Sequence, residues 1–103
     1  MANRTSKQAE ATSRARRLKA ELGAELREAR LGRGIRLVDV ARSVGLSASH
    51  ISRLERGLTP DLSVLHLARH GAVVGLRLHA RFYPAGGGLR DAAQLDLLRH
   101  LRA

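Results

Sequence analysis

The sequence predicts a mainly α-helical domain with a basic N-terminal arm and a C-terminal strand-plus-helix extension. Apolar residues recur every three or four positions through the middle of the chain, which is the period of packed amphipathic helices. Apolar residues make up 44% of the 103 residues, but only two residues are aromatic, so Leu, Val, Ile and Ala must fill the core. The chain has no cysteine, which excludes disulfide bonds, thiolate nucleophiles and cysteine-ligated zinc.

Three segments are predicted along the chain. Residues 1–20 form a basic arm that is either disordered or a helical extension of the next segment. Residues 21–73 carry the helical period and form the main domain. Residues 74–103 are predicted as a strand, a glycine-rich link and a helix that serve dimerisation or partner binding. The arm contains one acidic residue, Glu10. Its basic residues are Arg4, Lys7, Arg14, Arg16, Arg17 and Lys19.

Glycines separate the first two predicted helices. Gly32 and Gly34 end the first helix, and Gly45 follows the second at the position where a left-handed residue commonly ends a helix. Both helices carry apolar residues at helical spacing. These are Leu18, Leu22, Leu26 and Ala29 in the first helix and Leu37, Val40, Ala41 and Val44 in the second.

Capping residues predict the start of the third and fourth helices. Ser47 is a suitable N-cap for the third helix, which Gly57 ends. Thr59 and Pro60 are predicted to begin the fourth helix, as its N-cap and first helical residue. The predicted core residues are Ile51 and Leu54 in the third helix and Leu62, Leu65 and Ala68 in the fourth.

The period changes after the fourth helix. From Val74 to Tyr83 apolar and polar residues alternate, which predicts a half-buried strand. Pro84 and the glycines at 86–88 close the strand, and residues 90–102 are predicted as a last helix. A lone strand leaves its backbone hydrogen-bonding groups unpaired. We therefore expect it to pair with the same strand of a second subunit or with strands of a further domain.

The charge balance points to a polyanionic partner. The formal net charge is +10, from 19 basic and 9 acidic residues. Nucleic acid is the leading candidate and an anionic membrane surface is the second. The preference for Arg over Lys decides little, because a GC-rich genome also produces it. No apolar run approaches the roughly 20 residues of a membrane span, and no secretory signal is visible, so we expect a cytoplasmic protein.

The third predicted helix combines a buried stripe with a polar face. A tight turn at Gly45-Leu46-Ser47 joins it to the second helix, so the two short helices can pack on each other. A helix with an exposed polar face fits the major groove of DNA, which is about 12 Å wide. The residues of that face are Ser47, Ser49, His50, Ser52, Arg53 and Arg56.

The stretch from Gly34 to Gly57 resembles the Cro/C1, or Xre, family of helix-turn-helix regulators. The run GLSASHISRLERG is similar to the recognition-helix signature of that family, and the resemblance covers about Leu22 to Ala72. It implies a lambda-repressor-like helical fold. It also implies that Ala48, Ser49 and Arg53 touch base edges, that Ser47 and the loop after Gly57 lie near phosphate, and that Arg30 and Glu55 form a partly buried ion pair.

Two positions depart from the family pattern. Leu37 stands where the family often has a glutamine that contacts phosphate, and Arg36 replaces the Ser or Thr that usually caps the second helix. We expect Arg36 to supply the phosphate contact instead.

Several residues admit a second interpretation. Arg53 and Arg56 are either DNA contacts or solvated charges, and the motif favours contact, more for Arg53 than for Arg56. For His50 a polar surface residue is favoured over a residue that contacts bases. For Ser49 and Ser52 both interpretations stay open. His66 and His70 have the spacing of two zinc ligands, but no third ligand is evident, so no metal is expected.

These features predict a DNA-binding protein without a cofactor and without an enzymatic activity. The leading hypothesis is a bacterial or phage repressor that binds a palindromic operator in double-stranded DNA as a homodimer. One alternative is an antitoxin whose residues 74–102 bind a toxin. Another is the DNA-targeting head of a longer nuclease-like protein, although no cluster of Asp, Glu and Lys that could hold a catalytic metal is visible. The segment after the motif resembles that of some actinobacterial Xre-type regulators that continue into a further domain, which implies that this chain is a shortened or standalone version whose strand pairs between subunits. The basic arm is a solvated tail, a backbone-tracking arm or a minor-groove arm, and phosphate contact is favoured.

Overall fold

The computed structural model describes residues 2–85, and the side chains from Ser6 onward. Residues 2–20 are part of α1, which begins at Ala2, so the helical alternative describes this part of the basic segment. None of the described helices is long and apolar enough to cross a membrane. The four helices of these residues are α1 (Ala2–Gly32), α2 (Leu37–Val44), α3 (Ala48–Glu55) and α4 (Val64–Val73).

The core lies where α2 and α3 pack on each other, with α1 against α3 and α4 against α2. Val40 and Ile51 are completely buried at its centre. Full burial of side chains of this size contributes about 1.5–3 kcal/mol each. The predicted stripe of α1 enters the core only from Leu22 onward, since Leu18 is 50% exposed. The buried apolar residues are Leu26, Val40, Ala41, Val44, Ile51, Leu54, Leu67 and Val74.

The turn between α2 and α3 has the predicted geometry. Gly45 has a φ of +76° and its N–H donates to the Ala41 carbonyl at 2.9 Å, which ends α2. The Ser47 hydroxyl then accepts the His50 N–H at 3.1 Å and caps the start of α3. Only the two residues Leu46 and Ser47 separate Gly45 from α3, so the helices are held at a fixed angle.

The predicted start and buried face of α4 are wrong. The helix begins at Val64, because the Ser63 hydroxyl accepts the His66 N–H at 3.2 Å and caps it. Leu65 is 62% exposed and Ala68 is exposed, whereas Leu62 packs on the core before the helix begins. The sequence pattern misled because two members of the true core stripe are not hydrophobic side chains. The residues of α4 that are buried are Leu67, His70 and Gly71.

The strand predicted over 74–83 is also wrong, since the described chain up to Ala85 has no strand. Val74 is 1% exposed and belongs to the core as the last residue of the α4 stripe. Leu76 then donates to the Gly71 carbonyl at 2.7 Å, and this bond turns the chain away from α4. The alternation is present, but no second strand is available among these residues to pair the backbone. The helix predicted at 90–102 lies outside the described residues.

Candidate nucleic-acid interface

The exposed face of α3 holds most of the residues predicted to contact DNA. Ile51, Leu54 and Glu55 turn inward and are buried. On the opposite side Ala48, Ser49 and Arg53 are exposed, while His50 and Ser52 are half-buried. The fold therefore presents a short polar surface that continues from the Ser47 cap to Arg56, just beyond the helix.

Arg53 and Arg56 differ in how much of the guanidinium is available. Arg56 donates from Nε to the Ser52 carbonyl at 3.3 Å, which fixes its stem along the helix end. Among the described residues, the Arg53 guanidinium has neither a hydrogen-bond acceptor nor an acidic partner. Arg53 can therefore offer a complete planar donor fork to an external acceptor.

Arg36 precedes α2 and is held by Asp39, a partner that the sequence analysis did not identify. Arg36 Nε and Nη2 donate to the two carboxylate oxygens of Asp39 at 3.1 and 3.2 Å. These hydrogen bonds raise the pKa of Arg36 and lower the pKa of Asp39 from their ordinary values. The Arg36 side chain is 74% exposed, so it can reach a phosphate, but the phosphate has to compete with Asp39. In the sequence, the signal for this contact is the spacing of Arg36 and Asp39, which are three residues apart.

A buried ion pair lies directly behind the exposed face of α3. Arg30 Nε is 2.8 Å from Glu55 Oε2, and Arg30 Nη2 is 3.0 Å from Oε1. The third nitrogen, Nη1, donates to the Ile35 carbonyl at 2.9 Å. The two side chains are only 8% and 2% exposed. The pair thus joins the end of α1, the loop before α2 and the last turn of α3.

His70 places a third ionisable group on this pair, and the sequence analysis missed it. Its Nε2 lies 3.3 Å from Glu55 Oε2, and the residue is fully buried. Burial lowers the pKa of His70 below its ordinary value, and the neighbouring Glu55 only partly opposes that shift. His70 is three residues after Leu67 and four before Val74. This helical spacing is the sequence signal that places His70 among the core residues.

His66 and His70, which have the spacing of two zinc ligands, contact different partners in the structure. The His66 ring meets the His50 ring edge to face, with 6.2 Å between ring centroids. Within residues 2–85 no three His, Cys, Asp or Glu side chains are grouped so that they could hold a metal ion.

The middle of α1, at Lys19 and Ala20, contacts the loop that follows α3. Lys19 Nζ donates to the Thr59 carbonyl at 2.7 Å and to the Pro60 carbonyl at 3.3 Å. Gly57 has a φ of +72°, and a Cβ added there would lie 2.8 Å from the Ala20 Cα. Lys19 belongs to the predicted basic arm, and nothing in the local sequence marks it as a contact across 40 positions.

A family model described as a helix-turn-helix domain matches residues 21–93. The chain belongs to this helix-turn-helix family. Neither a curated protein nor a solved structure matches the chain. Membership indicates a DNA-binding regulator, and α2, the Gly45–Ser47 turn and α3 form the motif itself.

The helix-turn-helix fold gathers the predicted site residues into two groups. The first is the exposed face of α3 with its Ser47 cap. Arg36 stands apart from that group at the start of α2. The second group is the buried pair of Arg30 and Glu55, which can act on DNA only through the orientation of α3.

Proposed function

We propose that this helix-turn-helix protein is an Xre-type repressor that binds a palindromic operator as a dimer and reads bases through α3. The observation that carries this proposal is the Arg53 guanidinium, which has no partner among the described residues and lies on the exposed face of a helix whose other face is packed. The protein acts by occupying DNA, so that RNA polymerase is excluded, and not by catalysis.

The exposed residues of α3 suit direct readout in the major groove. Arg53 can donate two hydrogen bonds to O6 and N7 of guanine, a contact that discriminates against other bases by about 1–3 kcal/mol. Ala48 offers a methyl group that can pack on thymine, and Ser49 offers a hydroxyl that pairs with several bases. A reading helix of eight residues reaches only a few base pairs, which is why a second copy on a second half-site is needed.

Phosphate contacts would set the position of α3 in the groove. Ser47 lies at the N-terminus of α3, where backbone N–H groups and the helix dipole attract an anion. Its hydroxyl accepts from His50 and still has its own hydrogen to donate. Arg36 contributes a phosphate contact when it exchanges Asp39 for the DNA backbone. In a dimer the two half-sites would lie about 10–10.5 base pairs apart, or a multiple of that spacing.

The test is a random-library selection for bound duplex DNA with the full chain, followed by binding of the selected site. We expect a palindromic site, and we expect Arg53→Ala to relax preference at one base in each half-site. Arg69→Ala is the matched control, since Arg69 is an exposed arginine on α4.

Enrichment of no sequence, together with equal effects of the two substitutions, would overturn sequence-specific readout. Enrichment of a single asymmetric half-site bound by one chain would overturn the dimer and keep the readout.

A further inference from the structure

The first half of α1 is exposed and packs on none of the other described helices. From Ser6 to Leu18 every residue of α1 is exposed, and Lys19 is the first that is half-buried. At 1.5 Å per residue the helix before Lys19 spans about 25 Å. A helix with no buried face gains no stability from a core, and isolated helices of this length are marginal in water. We therefore expect a binding partner to stabilise this part of the helix.

Charge is divided unequally between the two halves of α1. The packed half carries three acidic residues, Glu21, Glu25 and Glu28, beside Arg27 and Arg30. The projecting half has Glu10 as its one acid. Its basic side chains between Ser6 and Lys19 are Lys7, Arg14, Arg16, Arg17 and Lys19.

Four of these cations have no partner among the residues that the structure describes. In the described part of the chain, Lys7, Arg14, Arg16 and Arg17 form no ion pair and no side-chain hydrogen bond. Like charges on adjacent turns of a helix destabilise it slightly. A polyanion that lies along the extension would remove this repulsion and stabilise the helix at the same time.

The extension begins beside the DNA-reading helix. Ala20 lies against Gly57, and Lys19 holds the carbonyls of Thr59 and Pro60, so α1 leaves the domain at the loop that follows α3. Arg16 is one turn before Ala20 on the same face of α1. Arg56, at the start of that loop, is also exposed and basic. Exposed basic residues therefore lie on both sides of this junction, Arg56 in the loop after α3 and Arg16 on α1.

We propose that the α1 extension, residues 2–18, is a second DNA-binding element that contacts the phosphates flanking the bases read by α3. This inference rests on the proposed function, because it takes duplex DNA as the partner. The contacts are electrostatic and carry no base preference, so the extension increases affinity and footprint without changing the selected sequence.

The test measures the salt dependence of operator binding for the full chain and for Arg14→Gln/Arg16→Gln/Arg17→Gln. Each phosphate contact adds about 0.9 to the slope of log K against log salt concentration. We expect the triple variant to lower the magnitude of that slope by about 0.9–2.7, depending on how many of the three residues touch phosphate. We also expect a shorter hydroxyl-radical footprint and an unchanged selected sequence.

The control is Arg69→Gln/Arg77→Gln, which removes exposed arginines outside α1, α2 and α3. It should leave the slope unchanged. The triple variant changes only exposed side chains that form no ion pair or hydrogen bond within the described residues. Its thermal unfolding should therefore match that of the parent protein, which separates lost binding from lost folding.

Three results would overturn the proposal. In the first, both variants lower the slope in proportion to the charges removed, which means that net charge alone acts. In the second, the slope and the footprint of the triple variant are unchanged. In the third, the triple variant loses binding to vesicles of anionic phospholipid but keeps its DNA footprint, which assigns the extension to a membrane surface. In each case the base preference of the parent protein and of Arg53→Ala still tests the proposed function separately.

Discussion

Replacing Arg30 by methionine would leave the Glu55 carboxylate buried without its cation. Glu55 is 4% exposed and loses two charge-assisted hydrogen bonds, at 2.8 and 3.0 Å, in this variant. Removing one partner of a buried ion pair destabilises a protein by about 3–5 kcal/mol. Because domains have about 0.05–0.15 kcal/mol of stability per residue, this loss is a large part of the total for the described chain.

The double variant Arg30→Met/Glu55→Leu separates the charge from the packing. Replacing both members of a buried pair by apolar side chains of similar volume is often neutral or stabilising. We therefore expect the double variant to regain most of the free energy of unfolding that Arg30→Met loses. Urea denaturation followed by circular dichroism gives this free energy for all three proteins, and equal m-values show that the comparison is valid.

A loss below about 1 kcal/mol for Arg30→Met would refute the reasoning, since that is the range of an exposed pair. A double variant no more stable than the single one would also refute it, because the damage would then come from packing. If Arg30→Met is unfolded without urea, recovery of folding in the double variant still decides between charge and packing.

Three further substitutions test other contacts of the structure. Because burial lowers the pKa of His70, the unfolded chain binds a proton more readily than the folded protein does. The free energy of unfolding should therefore fall as pH drops below about 6.5, and stop falling below the pKa of His70 in the folded protein. In a pH series of urea titrations, His70→Gln should flatten this part of the curve. Gly57→Ala should destabilise the protein more than Gly45→Ala does. Both glycines have a positive φ, but only the new Cβ at position 57 would meet Ala20. Equal decreases in the thermal unfolding temperature of the two variants would contradict that contact. Lys19→Met should lower the free energy of unfolding by about 1–2 kcal/mol in chemical denaturation, since it removes a part-buried charged donor from the Thr59 carbonyl. A change within error would mean that solvent replaces this hydrogen bond.

The motif at the centre of the fold could be predicted because its signals are local. The apolar spacing in α2, the left-handed Gly45 and the Ser47 cap each act within a few residues, and each has the expected geometry in the structure. The family model that matches residues 21–93 includes this stretch. The ends of the helices on either side of the turn were therefore predictable to within a residue.

The remainder depends on contacts between distant parts of the chain. Thr59 and Ser63 are both acceptable N-caps, and only packing decides that Ser63 starts α4 while Thr59 is buried before it. His70 looked polar, but Glu55 makes a core position acceptable for it. The alternation after Val74 resembles that of a strand, yet a strand requires a second strand that the sequence pattern cannot supply.

The short length of α3 explains why residues behind it matter for reading DNA. A helix of eight residues is far too short to be stable alone, so its orientation is imposed by its ends and its buried face. The Ser47 cap fixes one end, Glu55 fixes the buried side through Arg30, and the approach of Ala20 to Gly57 fixes the other end. The Arg30–Glu55 pair is buried, on the side of α3 away from the exposed Arg53. A change in this pair should alter DNA affinity without removing a DNA contact, and the loss should be the same for preferred and non-preferred sequences when it comes from unfolding. A loss confined to the preferred sequence in a protein that remains folded would instead mean that the buried pair sets the angle at which α3 meets the bases.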